Sequence, residues 1–268
     1  MPLDGAWYEP DDEGGKADAA GALLLCHGNT MNFYMGAPRF LPPALTALGF
    51  ACLAFNRRGH DILGIRDSRA AEGAAFQSYA QAIEDNRIAA RWLAARGYPD
   101  PAVVGHSNGA VLAAQHVADH PRTPALVLLS AHRGGRGMVP LASKAGLLAG
   151  DQLEEITQKA FSLVKENRGK TLILLPGWWY VTSAESFVDA LENCPDTLEL
   201  APRIKCPVLA LRGDQEPADL YPTEAFARRC GGPCTVEVLR DCNHFYAGRE
   251  NAVIELVCSW FNRQPRRA

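Results

Sequence analysis

Pro101 to Ala113, PAVVGHSNGAVLA, constrains this chain more than any other stretch. It reads as strand, sharp turn, helix. Ala102, Val103 and Val104 form a short apolar run, and Ala110, Leu112, Ala113, Ala114 and Val117 recur at helical spacing until His120-Pro121 ends the helix. Between them, Gly105-His106-Ser107-Asn108-Gly109 fits G-x-S-x-G, a pattern in which serine stands on a strained turn at the top of a strand. A side chain at Gly105 or Gly109 would collide across so tight a turn, and glycine relieves that crowding at no steric cost. The strain lifts the Ser107 hydroxyl clear of the backbone and sets it at a helix N-terminus, where free N–H groups favour developing negative charge. The pentapeptide recurs by chance in many chains. Its strand-turn-helix context is what makes Ser107 a candidate nucleophile.

The segments around it alternate. Leu3 to Pro10 reads as an opening strand, and DDEGGKADAAG after it as a polar surface connection. ALLLC (22–26), FACLAF (50–55), TPALVLLS (123–130) and PVLAL (207–211) are continuous apolar runs of strand length, as expected of strands buried on both faces of a parallel sheet. Val236 to Leu239 adds another strand. PRFLPPALTALG can supply a helix, Phe76 to Arg96 a long one stopped by Gly97, and Arg249 to Asn262 a closing one with Val253, Ile254, Val257 and Phe261 on one stripe. An α/β fold follows, with a mostly parallel central sheet flanked by helices.

Between Arg133 and Lys205 the alternation breaks, and the residues carry helix patterns without a convincing sheet strand. An inserted helical cap is the expected reading. Asp151, with Glu154 three residues on, can cap a helix whose apolar face is Leu153, Ile156, Ala160 and Val164; Ser183 can cap a second. Between these lies TLILLPGWWYV, where Pro176-Gly177 marks a break and Trp178, Trp179 and Tyr180 cluster as candidate substrate-binding residues.

Composition excludes other classes. With 268 residues one large α/β domain can bury a substantial core, and a net charge of −3 leaves no electrostatic footprint for nucleic acid or an anionic membrane surface. No apolar segment is long enough to span a bilayer, and MPLDGAWYEPDDEGG lacks the layout of a signal peptide, so a soluble cytoplasmic protein is expected. The eight cysteines are scattered, several in apolar runs, and read as small core hydrophobes. Cys230 and Cys234 flank Gly-Gly-Pro in what reads as a loop, with a redox pair or half a metal site as the alternative; no second pair stands at zinc spacing. With no Gly-rich phosphate loop either, neither metal nor cofactor is expected.

A serine hydroxyl is a poor nucleophile at neutral pH, so it needs a base within hydrogen-bond reach and a third group to orient that base. Of the seven histidines, His27 lies in the turn His27-Gly28-Asn29-Thr30 after ALLLC and His106 in the glycine-flanked turn, while His60, His116, His120 and His132 lack a carboxylate pattern. His244, in RDCNHFY after the last strand, is delivered by a parallel sheet to the edge that carries Ser107. The acid should follow the preceding strand, where Asp214, Glu216 and Asp219 compete. One oxyanion donor is the N–H after the nucleophile, Asn108, and the other comes from the loop after an early strand, Asn29, or Thr30 if that loop turns differently.

In order along nearly the whole chain, LLLCHGN, FNRRGHD, GHSNGA, LALRGDQEP and NHF resemble the α/β-hydrolase fold serine hydrolases, esterase- and lipase-like with an inserted cap. The resemblance implies a core of 1–133 and 206–268 and a cap of 134–205 placed after the sixth strand. It also points to Glu216, three residues past the glycine and before Pro217, as the acid. Aspartate is usual there, which keeps Asp214 as the alternative. Arg57 and Arg58, in FNRRGHD, resemble a structural turn with no chemistry of its own. The implied activity is cleavage of a small-molecule carboxylic ester. The same residues also suit lactone, thioester or carbon–carbon hydrolysis, or a ligand-binding receptor on this fold. Haloalkane dehalogenases and epoxide hydrolases would carry aspartate where Ser107 stands.

Overall fold

The computed structural model describes residues 3–10, 20–64, 69–177 and 180–264. The apolar runs become strands: β1 (Gly5–Tyr8), β2 (Ala22–Cys26), β3 (Ala51–Phe55), β4 (Ala102–His106) and β5 (Leu126–Leu129). All residues of β2 to β5 are buried. That explains why their sequences show no polar alternation, since both faces of the sheet are covered. Alternate residues nonetheless divide between two cores. Leu24, Leu53, Val103 and Leu128 pack on one face, while Leu23, Leu25, Cys52, Val104 and Leu129 pack on the other.

Helices α1 (Ala37–Phe40) and α2 (Pro42–Thr46) replace the single helix expected over PRFLPPALTALG, because Pro42 and Pro43 lack the N–H that a continuous helix would need. The long helix α3 (Tyr79–Ala94) starts at Ser78 in a capping box with Gln81. Helix α4 (Asn108–Asp119) follows the glycine-flanked turn.

The chain then leaves the sheet. Helix α5 (Met138–Lys144), helix α6 (Leu153–Lys165), the hairpin of β6 (Leu172–Leu175) and β7 (Tyr180–Ser183), and helices α7 (Ala184–Asn193) and α8 (Thr197–Leu200) intervene before β8 (Val208–Gly213) returns to it. Helix α9 (Thr223–Arg229), β9 (Cys234–Leu239) and α10 (Glu250–Asn262) complete the chain. The main sheet has seven strands in the order β1-β3-β2-β4-β5-β8-β9, all parallel except the edge strand β1. Its carboxyl edge therefore gathers the loops after β2, β4, β5, β8 and β9.

Four expectations for the inserted segment need correction. It follows the fifth sheet strand among the described residues, not the sixth. It holds a two-stranded hairpin as well as helices. In Leu172–Leu175 the residues alternate between exposed and buried, but leucine fills both exposed positions, so the period of a strand is hidden in the letters. Asp151 does not cap α6: it sits in a 3-10 turn (Gly150–Gln152), reached through a left-handed Ala149, and Gln152 stands at the cap without a side-chain bond. Leu163 rather than Val164 completes the buried face, Val164 being 37% exposed. Ser183 does cap α7, accepting from the Ser186 N–H.

Candidate active site

Ser107 stands at the tip of β4 with φ 59° and ψ −126°, a left-handed backbone that costs a residue with a Cβ about 1–3 kcal/mol. Both glycines are required, for different reasons. A Cβ at Gly105 would strike the Gly109 carbonyl and the Ala110 backbone, whereas one at Gly109 would strike the carbonyls of Cys26 and His27 at the end of β2. The second glycine therefore lets α4 lie against a neighbouring strand rather than merely easing the turn. Gly28, in that neighbouring loop, is close enough that a Cβ there would come within 3.2 Å of the Ser107 side chain.

Three loops converge on the serine. The Ser107 hydroxyl lies 2.9 Å from Nε2 of His244, and Nδ1 of His244 lies 2.6 Å from Oε1 of Glu216. Glu216 is nearly inaccessible, with a side chain 3% exposed, and its second oxygen accepts the Gly213 N–H at 2.8 Å and the Ser130 hydroxyl at 2.7 Å. Because the carboxylate only accepts, His244 carries its proton on Nδ1, and Nε2 is free to accept from Ser107. Asp214, the competing acid, is used elsewhere. It accepts the backbone N–H groups of Cys242 and Asp241, which pin the turn after β9 and hold its carboxyl below the usual range.

Other groups crowd the imidazole. His106 approaches the His244 carbonyl with Nε2 at 2.9 Å, its ring 5.3 Å from that of His244, and the Tyr221 ring is 5.2 Å away on another side. Burial, and then the charge His244 can carry, push His106 and His132 down to about 3, so both stay neutral near pH 7. Burial likewise raises the Tyr221 hydroxyl.

Asn29 and Asn108 both border the cavity that reaches Ser107, together with Tyr79, His132, Leu147 and Tyr221; its empty volume is about 460 Å³, open solvent included. Asn108 occupies the first position of α4, where no preceding turn offers its N–H an acceptor. Its side chain is held from behind. His132 accepts the Gly134 N–H at Nδ1, so the proton sits on Nε2, which meets Oδ1 of Asn108 at 3.3 Å; the Tyr79 hydroxyl donates to the same oxygen at 3.1 Å. A second cavity of about 570 Å³ shares Asn29, Tyr79, Asn108, Met138 and Leu148 with the first and extends beneath β7 and α7 to Tyr180, Thr182 and Ser186. Tyr180 lines this second cavity and hydrogen-bonds Asn29. Trp178 and Trp179 lie outside the described residues.

Both arginines of FNRRGHD are bonded within the fold. Arg57, 1% exposed, donates to the carbonyl of His27, and Arg58 pairs with the buried Asp85 at 2.5 Å. Cys26, Cys52, Cys194, Cys206 and Cys242 are buried and in no disulfide, while Cys230 and Cys234, also in no disulfide, are half-buried and flank the turn into β9. A hydrogen bond from Cys234 holds the Cys230 thiol low. Among the described residues no cluster of three or more histidine, cysteine or carboxylate side chains could hold a metal ion, and no helix is long and apolar enough to cross a membrane.

Ser130, Tyr246, His132 and Tyr79 carry no signal in the sequence that marks them as site residues. Ser130 ends an apolar run and Tyr246 lies two residues past His244; hydroxyls in such places form no pattern until the fold sets a carboxylate beside them.

A comparison with curated proteins finds no match. Solved structures do share the fold. Est1E from Butyrivibrio proteoclasticus, with ferulic acid bound, is 20% identical at a TM-score of 0.69, covering 98% of this chain and 95% of that one. GrgF from Penicillium sp. sh18, an alpha/beta hydrolase, is 13% identical at a TM-score of 0.68, covering 98% of this chain and 99% of that one. The esterase domain of a Rhodothermus marinus protein is 18% identical at 0.59, covering 97% and 92%. The sequence model of the alpha/beta hydrolase family matches residues 23–256, from β2 into α10. The glycine-flanked elbow that carries Ser107, the sheet order and that match agree: the chain belongs to the alpha/beta hydrolase family.

Proposed function

We propose that the protein is a serine hydrolase that cleaves the carboxylic ester of a small substrate through an acyl-enzyme on Ser107. The observation that carries this reading is the unbroken run of hydrogen bonds from Ser107 through His244 to Glu216 at the mouth of a cavity. Ser107 Oγ attacks the ester carbonyl carbon as its proton passes to Nε2 of His244, and Glu216 steadies the imidazolium through Nδ1–H. The backbone N–H groups of Asn29 and Asn108 receive the developing oxyanion. The carbon–oxygen bond to the leaving alcohol then breaks, and the alcohol takes the proton from Nε2. Water, deprotonated by the same nitrogen, hydrolyses the acyl-enzyme and releases the acid.

Segment 134–205 serves as the cap, since Met138, Leu147, Leu148 and Tyr180 supply the cavity wall opposite the sheet. That wall is apolar near Ser107, and polar groups stand deeper, at Tyr180, Thr182 and Ser186. A small ester with an apolar or aromatic body suits it, and a structural neighbour, Est1E, holds ferulic acid. The test is turnover of p-nitrophenyl acetate and butyrate, with a lactone and a thioester as competitors for the assignment. Ser107→Ala should lose about 10³-fold or more in kcat and all labelling by a fluorophosphonate. A Ser107→Ala protein that keeps its turnover would end the proposal, and tight binding of esters without turnover would favour a receptor.

A further inference from the structure

Glu216 has one oxygen on His244 and the other on groups that the reaction does not consume. Oε2 lies 2.7 Å from Ser130 Oγ and 2.8 Å from the Gly213 nitrogen, and Ser130 Oγ lies 2.6 Å from the Tyr246 hydroxyl. The direction of each bond is forced. An ionised carboxylate only accepts, so Ser130 donates to it; that uses the one hydrogen Ser130 has, so Tyr246 donates to Ser130. The Leu211 carbonyl, at 3.4 Å, is the poorer acceptor for the same phenol. A single directed series results: Tyr246 to Ser130 to Glu216 from one side, and Ser107 to His244 to Glu216 from the other. Both anchors are wholly buried, and both hold a left-handed backbone, φ 49° at Ser130 and 57° at Tyr246. Strain kept at two non-glycine residues that meet over one carboxylate points to a geometric requirement there.

We propose that Ser130 and Tyr246 are positioning residues, which fix the Glu216 carboxylate with Oε1 toward His244 and draw part of its negative charge onto a hydroxyl relay. A carboxylate that shares its charge with Ser130 attracts the imidazolium less than one bonded to His244 and Gly213 alone. The relay thus keeps His244 from becoming too strong a base to return its proton. The kinetic part of this inference rests on the function proposed above; the electrostatic part does not.

The groups packed around His244 and Glu216 allow a clean reading. His106 from β4, His132 from the loop after β5, Tyr221 from the loop after β8, and Tyr246 and Cys242 from the loop after β9 are all neutral near pH 7, each held so by burial. Asp214 on the loop after β8 is ionised and tied to the N–H groups of Asp241 and Cys242, and Arg249 pairs with Asp241 at the rim. His106 and His132, the two groups of this set whose ordinary range lies near neutrality, are held neutral down to well below pH 5.

The experiment is an NMR titration of histidine-labelled protein, with the His244 resonance assigned by His244→Gln, in the wild type, Ser130→Ala, Tyr246→Phe and the double variant. The pH profile of kcat/KM is recorded in parallel. Ser130→Ala should raise the pKa of His244 by about one unit, a tenfold gain in proton affinity, move the acid limb of kcat/KM by the same amount, and lower kcat about tenfold. Tyr246→Phe should shift both in the same direction by less. Because Tyr246 acts through Ser130, the double variant should match Ser130→Ala alone. A folded Ser130→Ala with His244 unmoved, or additive shifts in the double variant, would overturn the inference. If Ser130→Ala does not fold, Tyr246→Phe decides by the sign of its shift. If the wild type turns over no ester while His244 still shifts, the relay stands and the hydrolase reading falls. Ester turnover with His244 unshifted in the variants means the opposite: the hydrolase reading stands and the relay falls.

Discussion

At the carboxyl edge of the sheet, Glu216 is enclosed with both oxygens bonded to protein: Oε1 to His244, Oε2 to Ser130 and Gly213. Across the cavity, the wall supplied by α5, the connection after it, β7 and α7 meets the open space with Met138, Leu148, Tyr180, Thr182 and Ser186. One region satisfies its polar groups internally; the other presents side chains to whatever enters. A small displacement in the first disrupts a chain of directed bonds, whereas a change in the second alters shape or one contact. Substitutions on the sheet rim should therefore act on kcat and those on the wall on KM.

The sharpest way to break this contrast is to exchange carboxylates within the rim. Glu216→Gln places an amide where two donors and an imidazole require an acceptor, so kcat should fall about 10³- to 10⁴-fold. Asp214→Asn, two residues away, keeps one carbonyl oxygen for the Asp241 and Cys242 N–H groups and should change kcat less than about threefold while lowering thermal stability. Steady-state kinetics and a melting curve separate the two. Equal loss of kcat in both would mean that the rim does not distinguish its carboxylates as the hydrogen bonds do.

The sheet and the helix that follows Ser107 also store a pH liability. His106 and His132 are pushed down to about 3 and His116 to about 4, each first by burial, and His27 is also held well below its ordinary value. The unfolded chain protonates these rings near pH 6.5, so below that pH it binds more protons than the folded one and stability falls as pH falls. Urea unfolding at intervals from pH 7 to 4.5 should show stability decreasing with uptake of more than two protons. Over the same range the acid limb of kcat/KM should follow a single proton, as expected of one general base whose neighbours His106 and His132 are held neutral. A stability flat over that range would contradict the buried neutral state of these rings.

The sequence was informative where physics leaves one option. Strands covered on both faces must be apolar throughout, so ALLLC and LVLL betrayed the sheet, and the elbow needed glycine at both flanks. His244 was legible because a parallel sheet sends successive loops to one edge. The resemblance favoured Glu216 and kept Asp214 as the alternative; in three dimensions Glu216 meets His244 while the turn after β9 claims Asp214. The inserted segment was harder. A hairpin whose exposed positions are Leu172 and Leu174 mimics a buried run, and a 3-10 turn at Gly150–Gln152 moved the start of α6 past Asp151. Ser130 was invisible in principle, because its role depends on a carboxylate far along the chain.

The wall offers the smallest and most discriminating test. Tyr180 hydrogen-bonds Asn29, which borders both cavities and sits in the loop facing Ser107, so it is the point at which wall and rim touch. Tyr180→Phe keeps the ring and its packing and removes only the hydroxyl. If the bond serves mainly to shape the cavity, KM should rise about two- to fivefold with kcat unchanged, in keeping with one neutral hydrogen bond of about 1 kcal/mol. A fall in kcat with KM constant would instead assign the hydroxyl to holding Asn29 in place for the transition state, and Tyr180 would belong with the rim. Measuring both constants for a short and a long acyl ester sharpens the result further. A cavity role predicts a larger KM effect on the longer chain, which reaches beneath β7, while a role through Asn29 predicts equal effects on both.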